Sequence, residues 1–204
     1  MQPDYFVNHA KARRFPWTLY HRPLEADLAR FLSGVRGTVL VVGCGLLHEL
    51  DVAPAGVEFV VADVDERAVE AVLERNDKRI VDGIVVEPEQ ALPFRNKFDA
   101  IYAKEVVEHV LAWPSWLAGL RRSLVHGGKL WLSTPNYGEP WLPALESTVL
   151  ELVARRDGFS RREIHPTRFS RRSLERGLVS AGFQDVDVHV TTTRLAITAW
   201  AVAP

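Results

Sequence analysis

An α/β fold with a mainly parallel sheet is predicted from three features of the chain. Short β-branched runs alternate with amphipathic stretches. The runs are almost continuously apolar, as strands covered on both faces are. The last two are joined only by a short connection containing Thr191-Thr192-Thr193, so they form an antiparallel hairpin rather than another β–α–β unit.

In chain order, Leu24–Leu32 reads as a helix before the first strand, Thr38–Val42. The second strand is Glu58–Ala62, followed by a helix over Glu66–Arg75, and the third is Ile84–Glu87. Asp99–Ala103 is the fourth strand. Trp116–Leu124 is a helix that ends before a Gly127-Gly128 turn, and Lys129–Ser133 is the fifth strand. Trp141–Arg155 carries Leu142, Leu145, Val149, Leu152 and Val153 near helical spacing. Ser170 is placed to cap a helix running to Ser180 that Gly182 closes. Gln184–Val190 and Leu195–Val202 complete the set.

The length, 204 residues, fits one domain at ~100–200 residues each, and no linker or repeat divides it. A single Cys excludes a disulfide scaffold, and 47% hydrophobic residues exclude a disordered tail. No apolar run approaches the ~18 residues of a membrane helix. The N-terminal stretch lacks the apolar core of a signal peptide, so a cytoplasmic address and no membrane partner are expected. A net charge of −1 argues against a general nucleic-acid coat.

The first strand runs directly into Gly43-Cys44-Gly45. Glycines there let a backbone approach a ligand closely, and Asp63 ends the next strand, 18 residues after Gly45. A carboxylate at that place can accept hydrogen bonds from both hydroxyls of a ribose, which points to a nucleotide-type ligand. Leu47 stands where a third glycine is usual, and its bulk would crowd a pyrophosphate, which disfavours a dinucleotide.

Further motifs choose among cofactors. Ala91–Phe94 (ALPF), Phe98–Val110 (FDAIYAKEVVEHV) and Leu120–Asn136 (LRRSLVHGGKLWLSTPN) join VLVVGCG and VVADVDERAVEA in the order of a known family. Together they resemble a class I S-adenosylmethionine-dependent methyltransferase, of the small-molecule group that includes quinone-biosynthesis O-methyltransferases. The resemblance runs from about Thr38 to Phe183 and includes His165–Ser170 (HPTRFS). It implies a Rossmann-like sheet of seven strands, mainly parallel with an antiparallel last strand, with helices on both faces. It also implies S-adenosylmethionine as cofactor and a single domain over 1–204. Within that domain, residues 1–36 would form an N-terminal helical lid segment, and residues 137–170 an insert on the substrate side.

Carried over position by position, the resemblance places Gly43, Cys44 and Gly45 at the methionine part of the cofactor. Asp63 would hold the ribose and Val64 would pack on the adenine, with Gln90, Ala91 and Leu92 on its other side. Pro88 stands where relatives often carry an Asp for the adenine amino group, and Glu87 and Glu89 are the nearest substitutes. Ala103 and Lys104 would lie beside the methionine amino group; the Lys104 ammonium would not help bind another ammonium, so its side chain is expected to point away. Cys44 reads as a packing residue, since nothing around it supplies a base. Trp113, Trp116, Trp131 and Trp200 read as core, and Phe94 and Phe98 as packing under the sheet edge. Tyr20 and His21, with Arg13 and Arg14 nearby, belong either to the lid or to simple surface packing.

Methyl transfer needs alignment of donor and acceptor above all, and a base only when the acceptor keeps its proton at neutral pH. Glu105, Glu108 and His109 are spaced i, i+3, i+4, so a helix there would put all three on one face. That set suits a general base oriented by a carboxylate, a divalent cation, or a purely structural tie; no metal ligand is assigned. Asn136, Tyr137, His165 and Arg168 are the candidate substrate contacts. Between Arg155 and Arg176 lie eight Arg against Asp157, Glu163 and Glu175, a segment charge of 8 − 3 = +5. This suits a small-molecule acceptor bearing a carboxylate or phosphate. It equally suits a solvated helix face in a chain with 20 Arg and five Lys. Nothing resembling an RNA-binding module accompanies it. An RNA or protein methyltransferase, a dehydrogenase-like dinucleotide binder and a non-catalytic S-adenosylmethionine-binding partner subunit are the alternatives; oligomeric state is not addressed by any motif.

Overall fold

In a computed structural model, residues 18–88, 90, 92–139 and 165–204 are described. Helix α1 (Thr18–Ser33) leads into strand β1 (Gly37–Val42), and a short 3-10 turn (His48–Val52) into β2 (Val57–Asp63). Helix α2 (Glu66–Leu73) connects to β3 (Ile80–Val85), which is followed by β4 (Phe98–Lys104). A second 3-10 turn (Val107–His109), α3 (Trp113–Ser123) and β5 (Leu124–Pro135) come next. The chain closes through α4 (Arg171–Ser180), β6 (Gln184–Val190) and β7 (Ala196–Val202).

The strands form one seven-stranded sheet in the order β3-β2-β1-β4-β5-β7-β6. Pairings from β3 through β5 are parallel, and β7 runs antiparallel to both β5 and β6. This is the Rossmann-like class I methyltransferase architecture anticipated above. The period-two geometry of a strand explains how one sheet serves two cores. Val39 and Val41 of β1 face the layer of α1 and α2 with Phe31, Leu32, Val69 and Val72. Leu40 and Val42 face the layer of α3 and α4 with Leu117, Leu120, Leu174 and Leu178.

Local signals set several boundaries. Asp65 caps α2 by accepting from the Arg67 amide at 3.1 Å, and Ser170 caps α4 through a reciprocal box with Ser173. Helix α1 begins six residues before the predicted Leu24 and carries Pro23 inside it. Helix α3 begins at Trp113, with Pro114 in its first turn, where a missing amide hydrogen costs nothing. The third strand lies at Ile80–Val85 instead of Ile84–Glu87. Asp82 and Gly83 read as loop residues, but an edge strand has one open side and tolerates them. Gly127 and Gly128 lie within β5, where the pairing with β4 shifts register. The predicted helix over Trp141–Arg155 lies outside the described residues. Among the described residues, no helix is long and apolar enough to cross a membrane.

Candidate functional site

The sheet order reverses direction between β1 and β4, and in open α/β sheets ligands bind outside the carboxyl ends of the strands at such a crevice. Val42 pairs with Ala103, so the Gly43-Cys44-Gly45 turn and Lys104 emerge side by side there. Gly43 and Gly45 have φ 71 and 47, and a Cβ on Gly43 would fall 2.5 Å from Val106 Cγ2. The turn therefore needs glycine both for its conformation and for the close approach of the loop after β4. It is tied to β2 by the Gly43 amide, which donates to Ala62 O at 2.8 Å.

Asp63 completes this corner. One carboxylate oxygen accepts from the Gly45 amide and the other from the Asp65 amide, both at 3.0 Å. A carboxylate has about four acceptor positions, so two remain for a ligand's hydroxyls. Next to it Val64 is 58% exposed, an apolar side chain open to a flat ring. Gln90 is exposed and Leu92 is buried; Ala91 lies outside the described residues. Cys44 is buried, and burial, followed by the nearby Asp63 charge, pushes its thiol far up, so it is an inert packing group. Leu47 keeps a left-handed backbone (φ 47) with its side chain fully buried in the core.

Lys104 forms an ion pair with Glu49, a buried carboxylate on the 3-10 turn that follows the glycines in the chain. Burial by itself would raise the Glu49 carboxyl; the adjacent Lys104 ammonium outweighs it and holds the group below the usual carboxylate range. Glu105 follows in a left-handed conformation (φ 59). Its carboxylate accepts from Ser133 Oγ at 2.8 Å and from the Tyr20 hydroxyl, which links α1 to the end of β4.

The second half of the site is built by the 3-10 turn Val107–His109 and the segment after His165. The Thr167 amide donates to Glu108 O at 3.1 Å, and the Tyr137 amide donates to Phe169 O at 2.9 Å. These bonds bring Glu108, His109 and His165 together, with one ligating atom from each within 4.8 Å of the others. The His109 and His165 rings meet edge to face at 5.0 Å, and His165 Nδ1 lies 2.7 Å from the Tyr137 hydroxyl. The Arg168 guanidinium lies over the Tyr137 ring at 5.2 Å. One carboxylate and two imidazoles at this spacing can hold a divalent cation or move a proton.

A family model described as a methyltransferase domain matches residues 17–188. The chain belongs to this methyltransferase family. No curated protein matches its sequence significantly. Among solved structures, the methyltransferase of a Haloferax volcanii complex with the Trm112 methyltransferase activator is similar at a TM-score of 0.73 and 17% identity, over 100% of this chain and 99% of that one. An Aquifex aeolicus SAM-dependent methyltransferase is similar at 0.68 and 20% identity, over 100% of both chains. The N-methyltransferase NodS of Bradyrhizobium japonicum, solved with S-adenosyl-L-homocysteine, is similar at 0.68 and 17% identity, again over 100% of both.

In this family member the predicted residues fall into two groups. Gly43, Cys44, Gly45, Asp63, Val64, Ala103 and Lys104 gather at the β1–β4 crevice and the neighbouring end of β2. Glu108, His109, Tyr137, His165 and Arg168 gather beside it. Glu105 does not join the second group. The expected common helical face is absent because helical turn begins only at Val107, and the left-handed backbone turns Glu105 toward Tyr20. Asn136 is buried, and its side chain holds a turn: Nδ2 donates to Arg194 O at 3.1 Å and Oδ1 accepts from the Gly138 amide at 3.1 Å. Glu49 was missed by sequence reasoning. Its one signal is an acid four residues past Gly45, opposite the Lys that ends the fourth strand.

Proposed function

We propose that the chain binds S-adenosylmethionine at the β1–β4 crevice and transfers its methyl group to a hydroxyl of a small-molecule acceptor that carries negative charge. The observation that carries the cofactor assignment is the Asp63 carboxylate, fixed by the Gly45 and Asp65 amides with acceptor positions to spare. The glycine turn, exposed Val64 and buried Leu92 fit the rest of such a ligand. Bound there, the cofactor would supply an activated methyl group on sulfur; the chain's own residues bind, orient and manage the acceptor's proton. A His165 whose Nδ1–H donates to Tyr137 presents Nε2 as a base, with His109 next to it and Glu108 1% exposed behind. Arg168 beside Tyr137 supports an anionic group on the acceptor. The quinone-type subgroup is the likeness that favours a hydroxyl.

The test is calorimetry with S-adenosylmethionine, S-adenosyl-L-homocysteine and NAD. The first two are expected to bind and NAD is not. Asp63→Ala should weaken S-adenosyl-L-homocysteine by about 1.5–3 kcal/mol, the range for hydrogen bonds to a charged group. Unchanged affinity in a folded variant would overturn the cofactor assignment. A second reading, a methyltransferase that works with a protein partner, is favoured by Val81 and Val85, each 48% exposed on the edge strand β3, and by the activator complex of the Haloferax volcanii neighbour.

A further inference from the structure

Helix α3 carries Arg121 and Arg122 in its last turn, where basic side chains ordinarily serve the last carbonyls and the negative end of the helix. Here those carbonyls already have backbone donors. The Leu124 amide donates to Leu120 O and Arg121 O. The Asn96 amide donates to Arg122 O and the Lys97 amide to Ser123 O, both at 2.9 Å. The two guanidinium groups, with that of Arg95, instead line a cavity of about 150 Å³ that Asn96, Leu124 and Ala203 also wall. No Asp or Glu lines it. None of the three Arg forms an ion pair among the described residues, Pro204 in the same lining included. Arg121 Nε is buried with no hydrogen-bond partner among the described residues. Its side chain lies against the turn that closes α4, where a Cβ on Gly182 would fall 3.2 Å from that nitrogen. A buried donor held beside two further cations costs free energy, and an anion with several acceptor oxygens offsets it.

We propose that this cavity binds a phosphate-type oxyanion, either free phosphate or the phosphoryl group of a small ester. Guanidinium forks give paired hydrogen bonds to such a group, and three of them suit a tetrahedral anion with three free oxygens better than a flat carboxylate with two. The volume suits a phosphoryl group, being well under the ~300–1,000 Å³ of a cavity for a drug-sized ligand. The cavity also lies at the opposite end of the sheet from the crevice. Arg95 and Asn96 precede β4, Leu124 opens β5, and Ala203 follows β7, which runs the other way. The seven residues of β4, at ~3.3 Å each, put about 20 Å between the two. Its ligand is therefore neither the cofactor nor the methyl acceptor, and the proposal does not depend on the reading of the crevice.

The test is a titration of the isotope-labelled full chain with inorganic phosphate, followed by nuclear magnetic resonance at an ionic strength held constant with chloride. The Arg121 Nε–H signal is expected to shift and to saturate. Arg95→Met and Arg122→Met should each weaken phosphate about tenfold or more, as for one lost charge-assisted hydrogen bond, and leave S-adenosyl-L-homocysteine affinity unchanged. Arg95 is exposed, so its variant probes the site without touching the core. Arg95→Lys, which keeps the charge and loses the fork, should recover only part of the affinity. Glycerol 3-phosphate separates the two sources: tighter binding than phosphate makes an ester the ligand, and equal binding makes it phosphate itself, either result supporting the site.

A response that chloride reproduces, acetate binding as tightly as phosphate, or undiminished binding in Arg95→Met would overturn the proposal and leave the three Arg as surface charges at a helix end. So would a short single-stranded RNA that shifts the same signals at lower concentration than phosphate, because an open basic surface would then be reading the anion. A chain that binds phosphate at these residues but not S-adenosyl-L-homocysteine would support this site while the cofactor assignment falls.

Discussion

Leu47 holds φ 47 and ψ 51, a left-handed backbone that a glycine adopts freely and that costs another residue about 1–2 kcal/mol. The chain accepts that cost because the Leu47 side chain is fully buried with Leu50, Val61 and Val72 in the layer of α1 and α2. Its bulk therefore lies in the core, not over the glycine turn, and the steric argument against a dinucleotide drawn from Leu47 loses its basis. The two opposed terms make a distinctive prediction for denaturant unfolding. Leu47→Ala should destabilise by about 2–5 kcal/mol, because it leaves a cavity and keeps the strained backbone. Leu47→Gly should cost no more than Leu47→Ala, reversing the usual order, because it loses one more carbon but releases the strain. A glycine variant clearly less stable than the alanine one would show that the backbone there is unstrained.

Helix α1 is fastened to the sheet through one carboxylate. Asp27 Oδ2 accepts from Trp131 Nε1 at 2.9 Å and from Trp200 Nε1 at 3.0 Å, so a helix is pinned to β5 and β7 together. Burial would raise the Asp27 pKa, but the hydrogen bonds from Trp200, Trp131 and Thr198 and the Arg30 charge lower it overall. A depressed folded-state value means that this stability is fully present above the unfolded value, about 3.9, and is lost as pH falls through the folded value. Asp27→Asn should therefore be less stable by about 1–3 kcal/mol at pH 7, and its stability should fall less steeply than wild type below pH ~4. Parallel acid-unfolding curves would refute the anchor. The 3-10 turn and the segment after His165 form the other element-scale device, the Thr167 amide tying that segment to the turn and the Tyr137 amide tying it to the end of β5. If Glu108, His109 and His165 serve as a proton relay, turnover should survive chelation and fall at least ~100-fold in His109→Ala with cofactor affinity unchanged. Loss on chelation that Mg²⁺ or Zn²⁺ restores would identify a metal centre instead.

For the molecule as a whole, how far the sequence could be read follows distance along the chain. Central strands are legible because both faces are mostly buried and their runs are largely apolar, as in Phe59–Ala62; β3 lies elsewhere than predicted because an edge strand is only half covered. The glycine turn and Asp63 were readable because one β–α–β unit holds both. Glu49 and Lys104, 55 positions apart, meet only through the adjacency of β1 and β4, which no local pattern encodes. Likewise Glu108, His109 and His165 each stand in recognisable motifs, but their convergence depends on how the segment after His165 docks. The same topology has a consequence in time. Strand β6 touches the sheet only through β7, which is made after it and slides between β6 and β5. During folding, residues 184–190 have no strand to pair with until 196–202 are in place beside β5. The parallel half from β3 to β5 can assemble first, whereas the far edge closes in a single late step that depends on residues 196–202. A chain cut short before Ala196 would therefore leave exposed a raw β5 edge, and with it the opportunity for two such chains to pair with each other.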